Sequence, residues 1–194
     1  MDKLIIAAAL FALGLWIWSE YFRAIPNLEQ AGVLKNFQVE SIEPHQAEYR
    51  VLAKQYYGPE RRTIHPASPV VGSFNDLVYV SNIDLLLSAP EAASGLFKPF
   101  KLEQDRRCFN MTTTDAQANP VNIQPHLLNL SVIAASEAVA NKIRRLKADQ
   151  RIWLQGDWVQ VKSATSQQEF QVGIGNPRSA QCRLFRITDL KVLD

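Results

Sequence analysis

The chain has 194 residues, 47% hydrophobic and 21% charged, which excludes a disordered polymer and leaves length for one domain with a core of its own. A net charge of +2 is too small to argue for nucleic acid as a partner. Two cysteines and three scattered histidines (His45, His65, His126), with no CxxC, HxxxH or HExxH spacing, give no metal motif, and no cofactor signature accompanies them.

The first element is the apolar run LIIAAALFALGLWIW from Leu4 to Trp18, free of charge and proline, with Gly14 its one weak helix former. Lys3 precedes it; Glu20, Tyr21, Phe22 and Arg23 follow it. Fifteen residues at about 1.5 Å each make roughly 22 Å, short of a hydrocarbon core of about 30 Å. Spanning therefore needs Lys3 and Glu20 to reach outward and the aromatics to lie in the interface. A cleaved signal peptide would want small residues after Trp18, where Ser19-Glu20-Tyr21 stands instead. A buried core helix would want a polar face, and the run has none. The expectation is an uncleaved transmembrane signal anchor over residues 1–23, with Leu4, Leu15, Trp16 and Trp18 in or at the lipid bilayer. The short polar stub before it suits an N-in, C-out single-pass protein of a bacterial inner membrane, its C-terminal domain in the periplasm.

Residues 24–36 (AIPNLEQAGVLKN) read as a connector, and 37–194 as one β-rich domain. FQVESIEP alternates from Phe37 and is expected to end at Pro44; Ala47 to Tyr57 reads as a second, longer strand. Gly58 to Pro69 is turn-rich, its prolines forbidding a regular element. Asp76 to Leu87 suits a strand with a short turn, and APEAASG a turn. Between Leu96 and Pro125 one strand near Cys108 and a long loop are expected. His126 to Ala135 is a strand. Ser136 is then a good N-cap for a helix near 136–147, with Val139, Ile143 and Leu146 at i, i+4 and i+7 on one apolar face. RIWLQGDWVQVKS is a strand pair or one strand bent at Gly156; QEFQVGIG offers another strand, closed by Gly175-Asn176-Pro177; QCRLFRITDLKVL is the last. The fold class is α+β, mainly β, and the order strand, helix, strand, strand from His126 onward resembles the second half of an OB-like barrel.

Few side chains suggest chemistry. Cys108 and Cys182 can pair in an oxidising compartment or remain two thiols. Lys142, Arg144, Arg145 and Lys147, with Arg151 nearby, suit phosphate, anionic lipid or an acidic partner, although a charge run opposite an apolar stripe is usually a solvated face. Arg61-Arg62 and Arg106-Arg107 form a second basic cluster with the same two readings. An acyl-transfer set could be sought among His65, Ser68, Asp76 and Cys108, yet no GxSxG elbow organises it, so no catalytic residue is assigned. Trp153, Trp158 and Phe170 sit at strand positions where core packing is commoner than a stacking platform.

The segments SPVVGSFNDL, NLSVIAASEAVANKIRRLKADQRIWLQGDWVQV and QCRLFRITDLKV resemble a group of uncharacterised bacterial proteins with an N-terminal membrane segment and a β-rich domain. The resemblance covers about a third of the chain. It implies a similar fold and an envelope location, and no activity. The function expected is a non-catalytic, extracytoplasmic binding or assembly module, with the bilayer and another envelope protein as partners. One alternative is a hydrolase-like envelope enzyme using His65 or His126 with Cys108 or a carboxylate. Another is a cytoplasmic-facing binder of nucleic acid or anionic lipid through residues 142–147.

Overall fold

A computed structural model of the chain describes residues 2–21, 23–58, 74–92 and 94–193. Its first element is helix α1 (Asp2–Tyr21), rich in alanine and leucine and apolar on every side. Leu4, Leu10, Phe11 and Trp18 are each more than half exposed on it. Among the described residues no helix is long and apolar enough to cross a membrane; the uncharged run stops about 8 Å short of a hydrocarbon core.

The connector, residues 24–36, packs against the domain. Ile25, Asn27 and Val33 are buried, Asn27 bridges to Ala134, and Val33–Asn36 form a single turn, α2, entered through Gly32 at φ +97°.

Then comes β1 (Phe37–Tyr56), one strand where two were expected. Pro44 does not end it. A bulge between Ser41 and Glu43 already breaks the ladder just before the proline, so the missing N–H does little harm, and Pro44 stays in register with Asp157. A second bulge between Val51 and Ala53 bends the strand further, and its far half changes partner. The remaining strands are β2 (Ile83–Ser88), β3 (Phe100–Asp105), β4 (Cys108–Thr113), β5 (Leu127–Ala134), β6 (Arg151–Ser163) and β7 (Cys182–Val192). Five of them close a barrel in the order β1-β2-β5-β7-β6, with β6 returning to β1. β5 and β7 run parallel and every other neighbour antiparallel. Closure leaves the barrel no sheet edge.

Alternate residues fill the interior: Val51, Leu85, Leu130, Ile152, Leu154 and Phe185 belong to one apolar cluster. At Gly156, β6 comes so close to β7 that a Cβ would collide with the Arg186 carbonyl oxygen and lie 2.8 Å from a Phe185 ring carbon. The expected bend is therefore a bulge, and β6 is one strand. After α3 (Pro120–Ile123), a single turn capped by Asn119, the longer helix α4 (Glu137–Arg145) packs on the barrel beneath the end of β5. Ser136 Oγ caps it by accepting from the Val139 N–H at 3.3 Å, and Val139, Ile143 and Leu146 point into the core.

The middle of the chain departs most from expectation. In place of one strand and a loop, β3 and β4 form a hairpin turned by Arg106 and Arg107 at φ +48° and +63°. Two-residue hairpin turns usually carry Asn-Gly or Asp-Gly there, so the arginines hid the turn. The hairpin covers the outer face of β2 and β5, where Phe109 and Met111 pack with Leu86 and Leu127. The strand expected in QEFQVGIG reduces to one bridge, Lys162 to Glu169, but Phe170 still packs 5.7 Å from Phe37 on the barrel's outside.

Candidate functional site

The two cysteines are joined. Cys108, first residue of β4, and Cys182, first residue of β7, form a buried disulfide with Cα atoms 5.2 Å apart. The bond staples the inserted hairpin to the barrel and removes Cys108 as a thiolate nucleophile.

Beside it lies a polar cluster that the sequence reading missed. The buried Arg107 guanidinium places Nη1 3.2 Å from Asp84 Oδ1 and donates through Nη2 to the Ser81 carbonyl at 2.8 Å. It also stands 4.0 Å from the centre of the Tyr57 ring. Asp84 is fully buried in β2, and its Oδ2 accepts from the Tyr57 hydroxyl at 3.2 Å and from Asn129 Nδ2 at 3.0 Å. Gln104 Nε2 on β3 completes the set with a 2.8 Å bond to Asn129 Oδ1. Burial raises the Asp84 carboxyl above the usual carboxylate range, against the pull of Arg107. Burial and the nearby Asp84 likewise push the Tyr57 phenol upward. Among the described residues these groups bond chiefly to one another, and the cluster acts as a latch holding the hairpin turn on the sheet. Its signal was an aspartate inside the apolar run IDLLL, a place where a charge has to be paired.

The far end of the barrel from α4 carries an aromatic cluster. His45 Nε2 lies 2.8 Å from the Tyr49 hydroxyl, and its ring is 5.1 Å from Trp158 and 6.0 Å from Phe185. Burial, helped by Arg183, holds His45 below its ordinary value. Trp158 is buried edge-on against Phe185 at 4.9 Å, and the Arg183 guanidinium covers its face at 3.9 Å. That face is not open to a stacking base. Alongside runs a groove of about 580 Å³, lined by Ile42, Phe170, Val172 and Leu184 with Arg183 at its rim. Ile42, the residue carried out by the β1 bulge, is 64% exposed there. No motif announced this groove: four separate segments make it.

The other expected residues are scattered. Lys142 pairs with Asp189 of β7 at 2.9 Å and holds that carboxyl low, and Arg144 donates to Asn141 Oδ1 at 2.8 Å. Arg145 and Lys147 are exposed. In the second basic cluster Arg106 is exposed and Arg107 buried, while Arg61-Arg62 lie outside the described residues, as do His65 and Ser68. The side chain of Asp76 is likewise outside them. His126 is half-buried and among the described residues has no hydrogen-bonded nucleophile. Among the described residues no group of three or more His, Cys, Asp or Glu side chains converges as metal ligands. Of the expected bilayer residues Leu4, Leu15 and Trp18 are exposed, and the Trp16 side chain lies outside the described set.

The chain matches no family model, no curated protein and no solved structure.

Proposed function

We propose that this protein is a membrane-anchored binding or assembly module of the cell envelope, held outside the cytoplasm by α1 and without chemistry of its own. The observation that carries the reading is the Cys108–Cys182 disulfide in a domain led by a helix with exposed apolar residues all round. Structural disulfides persist in oxidising compartments. Exposed leucine, isoleucine and phenylalanine on one helix call for an apolar surrounding, which a bilayer supplies. A span of this length needs polar and aromatic flanks that reach the interface, and the sequence supplies Lys3 before the run and Trp18, Tyr21 and Phe22 at and after its end.

The barrel in this reading is of the OB kind. In barrel order its first, second, third, fifth and fourth strands are neighbours, and a helix separates the third from the fourth. Such barrels take ligands on the outer face of the second and third strands. Here the latched β3–β4 hairpin occupies that face, so recognition passes to the groove beside Ile42, Trp158 and Arg183. Its lining mixes apolar side chains (Ile42, Phe170, Val172, Leu184) with Gln160, Gln171, Glu169 and Arg183, which suits an amphipathic partner segment supplied by another envelope protein.

A topology reporter fused after Asp194 tests the reading, together with membrane fractionation. The expected result is a membrane-bound chain whose reporter works only outside the cytoplasm. A reporter active in the cytoplasm, or a chain released from the membrane, overturns it.

A further inference from the structure

We infer that the α4 end of the barrel lies against the membrane and binds anionic phospholipid headgroups through Arg145, Lys147 and their basic neighbours; this rests on α1 being the anchor proposed above. The first support is the shortness of the tether. Arg23 stands two residues beyond the end of α1, a reach of at most about 7 Å, and it is already fixed to the barrel. Its Nη2 donates to the Tyr57 carbonyl at 2.9 Å and its guanidinium lies 5.3 Å from the Tyr56 ring centre. The Ala24 carbonyl then accepts from Asn82 Nδ2 at 2.8 Å, Ile25 is buried, and Leu28 N–H donates to the Ala134 carbonyl at 3.0 Å. There is no slack with which the domain can swing clear of the surface its anchor enters.

The second support is which end of the barrel is held there. Tyr56 is the last residue of β1, Ala134 the last of β5, and α4 begins three residues on. From the tether, cations continue to the end of α4. Lys54 Nζ lies 5.6 Å from the same Tyr56 ring and donates to the Arg144 carbonyl at 3.1 Å, in the last turn of the helix. Arg145 and Lys147 follow, both exposed. Arg144 itself lines a cleft of about 300 Å³ against Ala24 and Ile25. Glu29 and Glu137 share that cleft and offset Arg144 there, so the lipid contact rests on Arg145 and Lys147 beyond it. Long cationic side chains at the level of the lipid phosphates gain both by charge and by letting their stems lie on apolar surface. The Trp158–Arg183 groove, at the other end, is then presented away from the bilayer.

The test uses the full chain in vesicles, either phosphatidylcholine alone or with a third phosphatidylglycerol. A donor fluorophore is placed at Ala148→Cys, just past α4, or at Ser41→Cys, about 30 Å along β1 from Arg50. The acceptor is on the headgroup of one lipid or the other. Energy transfer is expected to be stronger from position 148 than from 41, and stronger to phosphatidylglycerol than to phosphatidylcholine. A cation near the surface favours anionic lipid by about fivefold, so Arg145→Gln with Lys147→Gln should reduce the preference at least about fivefold, and high salt should reduce it in the unaltered chain. Equal transfer from both positions in a chain that floats with the vesicles overturns the inference alone, as does a preference that survives the double substitution. A chain that does not float overturns the anchor and the inference with it.

Discussion

Replacing Arg107 by Met probes the latch directly. The substitution keeps the apolar stem but removes the guanidinium end, and with it the charge 3.2 Å from Asp84, the bond to the Ser81 carbonyl and the contact with the Tyr57 ring. Asp84, with no exposure to solvent, is left with neutral donors from Tyr57 and Asn129. Breaking a buried pair from one side costs about 3–5 kcal/mol, a large part of a typical domain stability of about 5–15 kcal/mol. The stranded carboxyl can lower that cost by taking a proton, and the sign of the pH dependence follows. Its folded pKa, already raised by burial, rises further above the unfolded value of about 3.9. Between the two values the folded state holds more protons, so stability falls as pH rises through that window. Arg107→Met should therefore be most defective at pH 8 and less so near pH 5. Adding Asp84→Asn removes the charge that needed a partner and should bring most of the loss back. Urea unfolding of the full chain in detergent, disulfide intact, at both pH values measures all of this. A single variant within about 1 kcal/mol of the unaltered chain at pH 8 would refute the reasoning, as would a defect that pH and Asp84→Asn leave unchanged.

Three further outcomes are expected. Replacing both Cys108 and Cys182 by alanine opens a loop of sequence separation 74 and should lower stability by about 4 kcal/mol in urea; a loss under about 1 kcal/mol would mean the latch alone holds the hairpin. Gly156→Ala drives a methyl into the Arg186 carbonyl, so the chain should lose cooperative unfolding or several kcal/mol, and an unchanged midpoint would contradict the close approach of β6 and β7. His45 has a folded pKa below its unfolded value of about 6.5, so the unfolded state takes the proton first and stability is lost as pH falls from 6.5 through the folded value. An NMR titration of the His45 ring that gives a midpoint at or above 6.5 would remove that contribution.

How far the fold was legible depended on how local its causes are. Ser136, the spacing of Val139, Ile143 and Leu146, the apolar run of β5 and the alternation through β6 and β7 are short-range patterns, and each element formed where they lie. Gly156 was visible as a bend, though only the Arg186 backbone behind it explains why no other residue fits. The run Leu4 to Trp18 forms helix α1, apolar all round, because both its composition and its propensity are local properties. Pro44 misled because a local rule met a bulge set by pairing with β6. Arg106 and Arg107 misled because their strained turn is held by contacts to Asp84 and Ser81, more than twenty residues away in sequence. The candidate sites were legible only as residue types. Four cations were visible as a cluster, but Asp189, brought in by folding from β7, decided that Lys142 is paired; Arg144 is engaged by Asn141 one turn back on the same helix, while Arg145 and Lys147 are exposed. By itself the sequence determined a mainly β domain behind an apolar helix. Tertiary structure alone decided the barrel's closure, the pairing of the two cysteines, the latch and the groove at Trp158. Each of these depends on groups distant in the chain being brought within a few ångströms, and no pattern within a single segment encodes that distance.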